Sequence, residues 1–297
     1  MSRGMYDYQG RYDYQGMYGD GGRPRGAGIP MQLILAVILA IMSVISYYSK
    51  RVPNAITGEK QHIDLSVNDE IALGLQAVPQ MEQQYGGEVR DIAARDRVMR
   101  VGNRLVQKTV AGKTPYKFAF HLLNDDKTIN AFALPGGQVF MTNALLKRLT
   151  TDGEIAGVLG HEMGHVAARH GAEHMAQQKL TQGLAGAAVM AGSDPNDPRR
   201  GARNAAIAMA VAQMVDLRFS RDDELQADQL GVRFMAQAGY DPRSMLAVMK
   251  VLQDVEAHGH GPPEFFSTHP NPAHRMERIE IAIKKTFPEG VPPGLEK

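Results

Sequence analysis

No cysteine occurs in the 297 residues of this chain, and that absence excludes a disulfide framework, thiol catalysis and any cysteine-ligated metal. A transition metal bound here has to be held by histidines and carboxylates, a donor set that suits zinc or a similar borderline ion. An excess of charge of one sign is missing as well. Lys and Arg number 33 against 32 Asp and Glu, a net charge of +1, so nothing points to nucleic acid or to a strongly charged substrate. Short basic runs such as that around Arg97 read as solvated helix faces. What is present is an apolar fraction of 43%, enough for one sizeable globular domain with extensions.

The first 28 residues are poor in aliphatic side chains and repeat Tyr-Asp-Tyr-Gln-Gly at Tyr6–Gly10 and Tyr12–Gly16. Such a stretch cannot bury a core and is expected to be a flexible tail. Residues 29–48 then lack any charged side chain. Twenty residues at about 1.5 Å each cover about 30 Å, the thickness of a bilayer's hydrocarbon core. Tyr47 and Tyr48 followed by Lys50 and Arg51 resemble an interfacial belt and its charged edge. A cleaved signal peptide fits less well, because the preceding leader is long and no small-x-small site precedes Lys50. We therefore expect a tail over 1–28, a single transmembrane anchor over 29–49 and one catalytic-sized domain over 53–290. Basic residues flank the anchor on both sides, so the positive-inside rule does not orient it.

The domain reads as α+β and mainly helical. Ser66 with Asp69 predicts a capped helix over Val67–Gln84, and another helix is expected over Asp91–Thr109. Tyr116–Leu123 and Val139–Thr142 predict short strands, the second reached through Pro135-Gly136-Gly137. Thr151 with Glu154 is a second capping-box pattern and opens the helix bearing the central motif. Two apolar, small-residue stretches, Leu180–Gly192 and Ala202–Val215, are each too short to span a bilayer; a hairpin dipping into the membrane is one reading, and a helical hairpin packed on the catalytic core is the expectation. Further helices are expected after Asp241-Pro242 as far as about Glu256, and from about Pro272 to Lys285.

That central motif is His161-Glu162-Met163-Gly164-His165, an HExxH pattern. Four residues apart on a helix, both imidazoles lie on one face and can reach a single ion, while Glu162 can address its water. A hydrolytic zinc site needs a third protein ligand and one open position. The extended form HExxHxxGxxH is absent: Ala168 and Gly171 occupy its last two fixed positions, and His170 falls one residue short, which suggests a surface or supporting role. The third ligand is best sought in Ser220–Asp228. There Glu224 and Asp228 share a helix face, so Glu224 can bind the metal while Asp228 orients a ligand histidine through its free N–H. The Arg221-Asp222-Asp223 part of that string reads naturally as an exposed charged face.

HExxH followed some sixty residues later by Arg-x-x-Glu-x-x-Ala-Asp resembles the HtpX and CAAX-prenyl-protease type of zinc peptidase, metallopeptidase family forty-eight. Asn130–Gly137 resembles that family's segment ahead of the zinc helix, and Thr268-His269-Pro270 with Arg275 its downstream segment. The resemblance spans roughly residues 60–285. It implies a zincin-type core with a small sheet and an HExxH helix. It further implies zinc on His161, His165 and Glu224, Glu162 as catalytic base and Asp228 in support. Asn130, Ala131, Phe132 and Ala133 would border the substrate cleft, and His269 would steady the tetrahedral intermediate. The chain departs from multi-pass members in showing one convincing membrane segment, which favours simpler bacterial-type peptidases over a prenyl-protein substrate.

The implied reaction is hydrolysis of internal peptide bonds, with one zinc polarising the carbonyl and acidifying water while Glu162 carries the proton. Protein or peptide substrates, a membrane through the N-terminal helix and a bacterial periplasmic domain follow from the same reading, together with a role in removing misfolded proteins. Two rivals stand beside it. One is a tethered chaperone or scaffold with a structural zinc, which an intact Glu162 and only three ligands argue against. The other is an amidase acting on cell-wall peptides, which would use the same ligands.

Overall fold

The arrangement centres on a helix with no exposed face. In the computed structural model, which describes residues 29–192, 219–257, 263–270 and 274–297, the fifth helix, α5 (Asp152–Ala167), is buried at every position from Gly153 to Ala167. Its start is set as the sequence predicts: the Thr151 side chain accepts from Glu154 N–H, and the Glu154 carboxylate accepts from the Thr151 backbone in return. Small residues let neighbours close on it from several sides. Chief among them is α7 (Arg221–Ala238), which crosses α5 where Gly164 faces Ala227 and Gly160 faces Gly231. A Cβ on Gly164 would lie 2.8 Å from the Ala227 carbonyl oxygen, so the crossing distance requires glycine there.

Ahead of α5 come α1 (Met31–Ser49), a short hairpin of β1 (Arg51–Pro53) and β2 (Lys60–His62), α2 (Val67–Gln84) and α3 (Ile92–Lys108). A three-stranded sheet follows, made of β3 (Ala119–Leu123), β4 (Ala131–Leu134) and β5 (Gln138–Thr142) in the order β3-β5-β4. β3 runs parallel to β5, with Ala119 opposite Gln138, and β4 runs antiparallel to it, with Phe132 opposite Phe140. A short α4 (Asn143–Leu146) leads toward α5. Past α5 lie α6 (His170–Gly192), α7, α8 (Ser244–Ala257), α9 (Phe265–Thr268) and α10 (Arg275–Thr286). The core joins α3, β3, β5, α5, α7, α8 and α10 through Leu105, Leu122, Met141, Leu159, Phe234, Met249 and Ile279.

The mainly helical α+β expectation holds. Ser66 caps α2 with Asp69 as expected, and Asp91 caps α3. The first predicted strand is confined to Ala119–Leu123, and the segment at Asn130–Gly137 contributes a strand of its own, β4, on the sheet edge.

One expectation is corrected. Leu180–Gly192 is the second half of the continuous helix α6, and that helix lies along α1, with only slight contact to α5. A Cβ on Gly183 would strike the Ser43 side chain, so α6 is seated on α1 by glycine contact. Ala202–Val215, its expected hairpin partner, and the 1–28 tail lie outside the described residues. α1 keeps large side chains outward, among them Leu35, Ile38, Ile41 and Ile45, and among the described residues it is the helix long and apolar enough to cross a membrane.

Candidate active site

His161 and His165 point from one face of α5, as the four-residue spacing requires, and α7 brings Glu224 to them. His161 Nε2 lies 3.1 Å from His165 Nε2. The Glu224 carboxylate oxygens stand 3.4 Å from the first and 3.3 Å from the second. A fourth donor arrives from the segment after α9: His269 Nδ1 is 2.9 Å from Glu224 Oε1 and 3.3 Å from His161 Nε2. All four donor atoms fall within 4.8 Å of one another, and all four residues are buried.

The outer ring nitrogens show which way each histidine faces. His161 Nδ1 lies 2.9 Å from Asp228 Oδ1, so it donates there and turns the Nε2 lone pair inward. His170 Nε2 donates to Gln226 Oε1 at 2.9 Å, which leaves its Nδ1 as an acceptor for His165 Nδ1–H, also at 2.9 Å. His165 therefore turns its Nε2 lone pair inward too. Both inward nitrogens face the Glu224 carboxylate, an arrangement satisfied by a proton on His161 or by a metal cation in that proton's place. Glu224 Oε2 and His269 Nε2 moreover have no hydrogen-bond partner. The donor set, two imidazoles and a carboxylate with a third imidazole near, fits zinc.

Burial tends to push carboxylates up and imidazoles down, and the site shows where specific partners overrule it. His161 is buried, yet Glu224 and Asp228 raise it to about 9. His165, with weaker help, is held well below the usual imidazole range by burial. Glu224 and Asp228 stay low despite burial, Glu224 because of His269 and His161, Asp228 because of Arg275 and His161. At Glu162 burial outweighs the pull of His269 and His161. The side chain is fully buried, neither carboxylate oxygen has a hydrogen-bond partner, and burial raises its pKa.

Arg275, on α10, holds the supporting side together. Its Nε and Nη2 grip Asp228 at 2.8 and 2.9 Å, and its Nη1 lies 3.2 Å from Glu224 Oε2. The sequence marks Arg275 only as part of a downstream segment, and its pairing with two acidic residues of α7 is new. His170 is likewise buried in direct contact with His165, a supporting place among the two the sequence allowed. Asp223 is drawn into the N-terminal capping box of α7 with Ser220 and meets His174 at 2.9 Å, so this part of the charged string is not a free face. Two aromatic rings close over the donors. Phe219 stacks on His165 with ring centroids 3.9 Å apart, and Phe265 stacks on His269 at 4.6 Å. Phe219 lay outside every sequence motif.

β4 runs beside this cluster. Asn130 and Thr142 are hydrogen-bonded to each other across the β4–β5 ladder, with Thr142 N–H donating to the Asn130 carbonyl at 3.0 Å. In an antiparallel pair the hydrogen-bonded positions alternate. Phe132 and Leu134 therefore share the inward register of Asn130, while the peptide groups of Ala131 and Ala133 face the open edge. The Asn130 amide donates to Glu264 Oε1 at 3.2 Å.

The profile of peptidase family M48 matches residues 93–283. The chain is 33% identical over 214 residues to the beta-barrel assembly-enhancing protease of Yersinia pestis, a match covering 71% of this chain and 43% of that protein. It is 30% identical over 217 residues to the protein of the same name from Escherichia coli strain K12, again covering 71% and 43%. Similarity to the mitochondrial metalloendopeptidase OMA1 of Schizosaccharomyces pombe is 28% over 227 residues, or 76% of this chain and 64% of that protein. The chain spans about half the length of these curated relatives. With the HExxH histidines, the α7 carboxylates, His269 and Arg275 all meeting at one buried point, the family profile and the geometry agree: the chain belongs to peptidase family M48.

Proposed function

We propose that this protein is a membrane-anchored, zinc-dependent endopeptidase whose peptidase domain occupies roughly residues 53–290. The observation that carries the reading is the convergence of His161, His165 and Glu224 beside a buried, unpartnered Glu162. His161, His165 and Glu224 would hold the zinc, which when bound supplies a Lewis acid that polarises a carbonyl and acidifies water. Asp228, held by Arg275, fixes the His161 ring, and His170 does the same for His165. A substrate strand would lie along the free edge of β4, pairing with the Ala131 and Ala133 peptide groups, with Asn130 and Phe132 framing it. Glu162 takes the proton of the attacking water and hands it to the leaving amine, and its desolvated carboxylate is suited to that exchange.

His269 carries two roles in this reading. At its present position it is a fourth donor, and a closed set of four protein ligands is the mark of a structural zinc site. As a hydrogen-bond donor it would act through Nε2, which lies 3.6 Å from Glu162 Oε1, beside the place where charge would develop on the substrate carbonyl. His269→Ala separates the two. A gain in cleavage identifies a blocking ligand, and a loss of about 10²- to 10³-fold identifies a transition-state donor.

The extracytoplasmic face of a bacterial envelope is the proposed place, with α1 as anchor and misfolded or membrane-associated proteins as substrates. Relatives named for β-barrel assembly and for mitochondria support an envelope or membrane setting. Reporter fusions on either side of residues 29–48 check the orientation. The deciding experiment is cleavage of casein by the full chain with zinc, with chelator, and with Glu162→Gln. Zinc-dependent cleavage that disappears in Glu162→Gln while zinc stays bound is the expected result. Undiminished activity in that variant removes Glu162 as the base, and no cleavage by zinc-loaded protein favours the scaffold reading.

A further inference from the structure

We infer that α6 enters the bilayer beside α1, so that a second membrane-embedded helix connects directly to the metal-binding cluster and holds it at the membrane surface. The inference rests on the reading of α1 as a spanning helix and adds what that reading lacks: the depth of the catalytic site and the class of substrate within reach.

Three observations carry it. The first is packing. Gly183 is seated on Ser43 and Gly186 comes within 3.8 Å of the Leu39 side chain, so an increase of three along α6 goes with a decrease of four along α1. The helices are antiparallel, and residues near the middle of α1 touch the second half of α6. If α1 spans the hydrocarbon, its contact partners share its depth.

The second is composition. Leu180–Gly192 contains no charged residue. Its Thr181 hydroxyl donates to the Gln177 carbonyl within the helix, as the Ser43 hydroxyl on α1 donates to Leu39, so neither hydroxyl is left unsatisfied in lipid, and the exposed Gln182 lies within one turn of Lys179, at the charged boundary.

The third is the charged boundary. Lys50 directly follows α1 and Lys179 directly precedes the uncharged stretch of α6, and both ammonium groups bind the same carboxylate, Asp64. The two helices thus leave the apolar zone at one level, beside Tyr47 and Tyr48. From there Leu180–Gly192 extends about 20 Å along the anchor, past the midplane of a core about 30 Å thick. Small residues at the contact, with Gly183 and Ala187 on α6 and Ala36 on α1, are what close helix packing in lipid uses.

The catalytic consequence follows from where α6 begins. His170, its first residue, meets the His165 ring. About 14 Å of helix then separates His170 from Lys179 at the boundary. The substrate class assigned to the site is therefore polypeptide held close to the membrane: juxtamembrane segments, or chains stalled on the bilayer surface.

The cysteine-free sequence makes the test direct. Single-cysteine variants Ile41→Cys on α1, Leu184→Cys on α6 and Lys147→Cys on the exposed α4 side are labelled with an environment-sensitive nitrobenzoxadiazole dye in the full chain. Each is reconstituted into phosphatidylcholine vesicles brominated near the middle of the acyl chains. The expected result is a blue-shifted emission and strong bromine quenching at both 41 and 184, with neither at 147. Quenching at 41 without quenching at 184 overturns the inference while leaving the anchor standing. Absence of quenching at both positions overturns the anchor reading and the inference with it.

Discussion

At His161, burial and two carboxylates compete over one proton, and the carboxylates win: the ring is raised to about 9 with Glu224 and Asp228 beside it. A bound metal needs the neutral ring, so zinc has to displace that proton throughout the neutral range. The sign follows. Apparent zinc affinity of the metal-free chain rises about tenfold per pH unit up to about 9 and then levels off. Competition against a chromophoric chelator measures the slope, and calorimetry in two buffers of different ionisation enthalpy counts the released proton. Asp228→Asn removes one of the raising groups, so the affinity levels off at a lower pH and falls about 10- to 100-fold from the lost orientation of the ring. An affinity independent of pH below that range sinks this account. His161, His165 and Glu162 were legible in the sequence because helical periodicity dictates which of them share a face. Arg275 and Phe219 were not, because their roles depend on distances that chain order does not encode: Arg275 reaches Asp228 across 47 positions.

Among the elements, those with chemically explicit ends were the readable ones. Ser66 with Asp69 and Thr151 with Glu154 mark α2 and α5 because the cap is a local hydrogen-bond exchange. The same exchange at Ser220 and Asp223 was hidden inside a string read for its charge. β4 has only four residues, too few to establish an alternation, and the β1–β2 hairpin is shorter still. The error over Leu180–Gly192 has a different cause: composition tells that a helix face is buried but not whether core, anchor or lipid buries it. Helix packing also sets the geometry of the donor cluster, because Glu224 is delivered by the crossing of α7 on α5. Gly164→Ala tests that link. The added Cβ would lie 2.8 Å from the Ala227 backbone oxygen, so the helices must separate. We expect a loss of about 1–3 kcal/mol in stability together with weaker zinc binding, read by thermal unfolding and by chelator competition on one sample. Lowered stability with unchanged zinc affinity would show that the crossing does not position Glu224.

For the molecule as a whole, the site draws on the middle of the chain through α5, on a stretch some sixty residues later through α7 and on the C-terminal region through His269 and Arg275, so its assembly and the folding of the domain are one event. The resemblance predicted this grouping by order along the chain, and the packing explains it: α7 packs on α5 and α10 packs on α7, bringing 161, 228 and 275 together. The grouping is costly when no metal is bound. Both Glu162 carboxylate oxygens and His269 Nε2 are buried without hydrogen-bond partners, and such groups destabilise by about 1–3 kcal/mol each when unsatisfied. A metal that binds the folded chain and not the unfolded one stabilises by about 2.7 kcal/mol at a hundredfold excess over Kd. For a domain of this size each kcal/mol shifts Tm by about 2–4 °C. Chelation should therefore lower the Tm of the full chain by roughly 5–10 °C, and added zinc should restore it. Glu224→Gln, which keeps the side-chain volume but weakens the donor, should start near the chelated value and respond little to either treatment. If the native chain melts at the same temperature with zinc and with chelator, the buried donors are satisfied without a metal, and the cluster is a structural polar network instead of a zinc site.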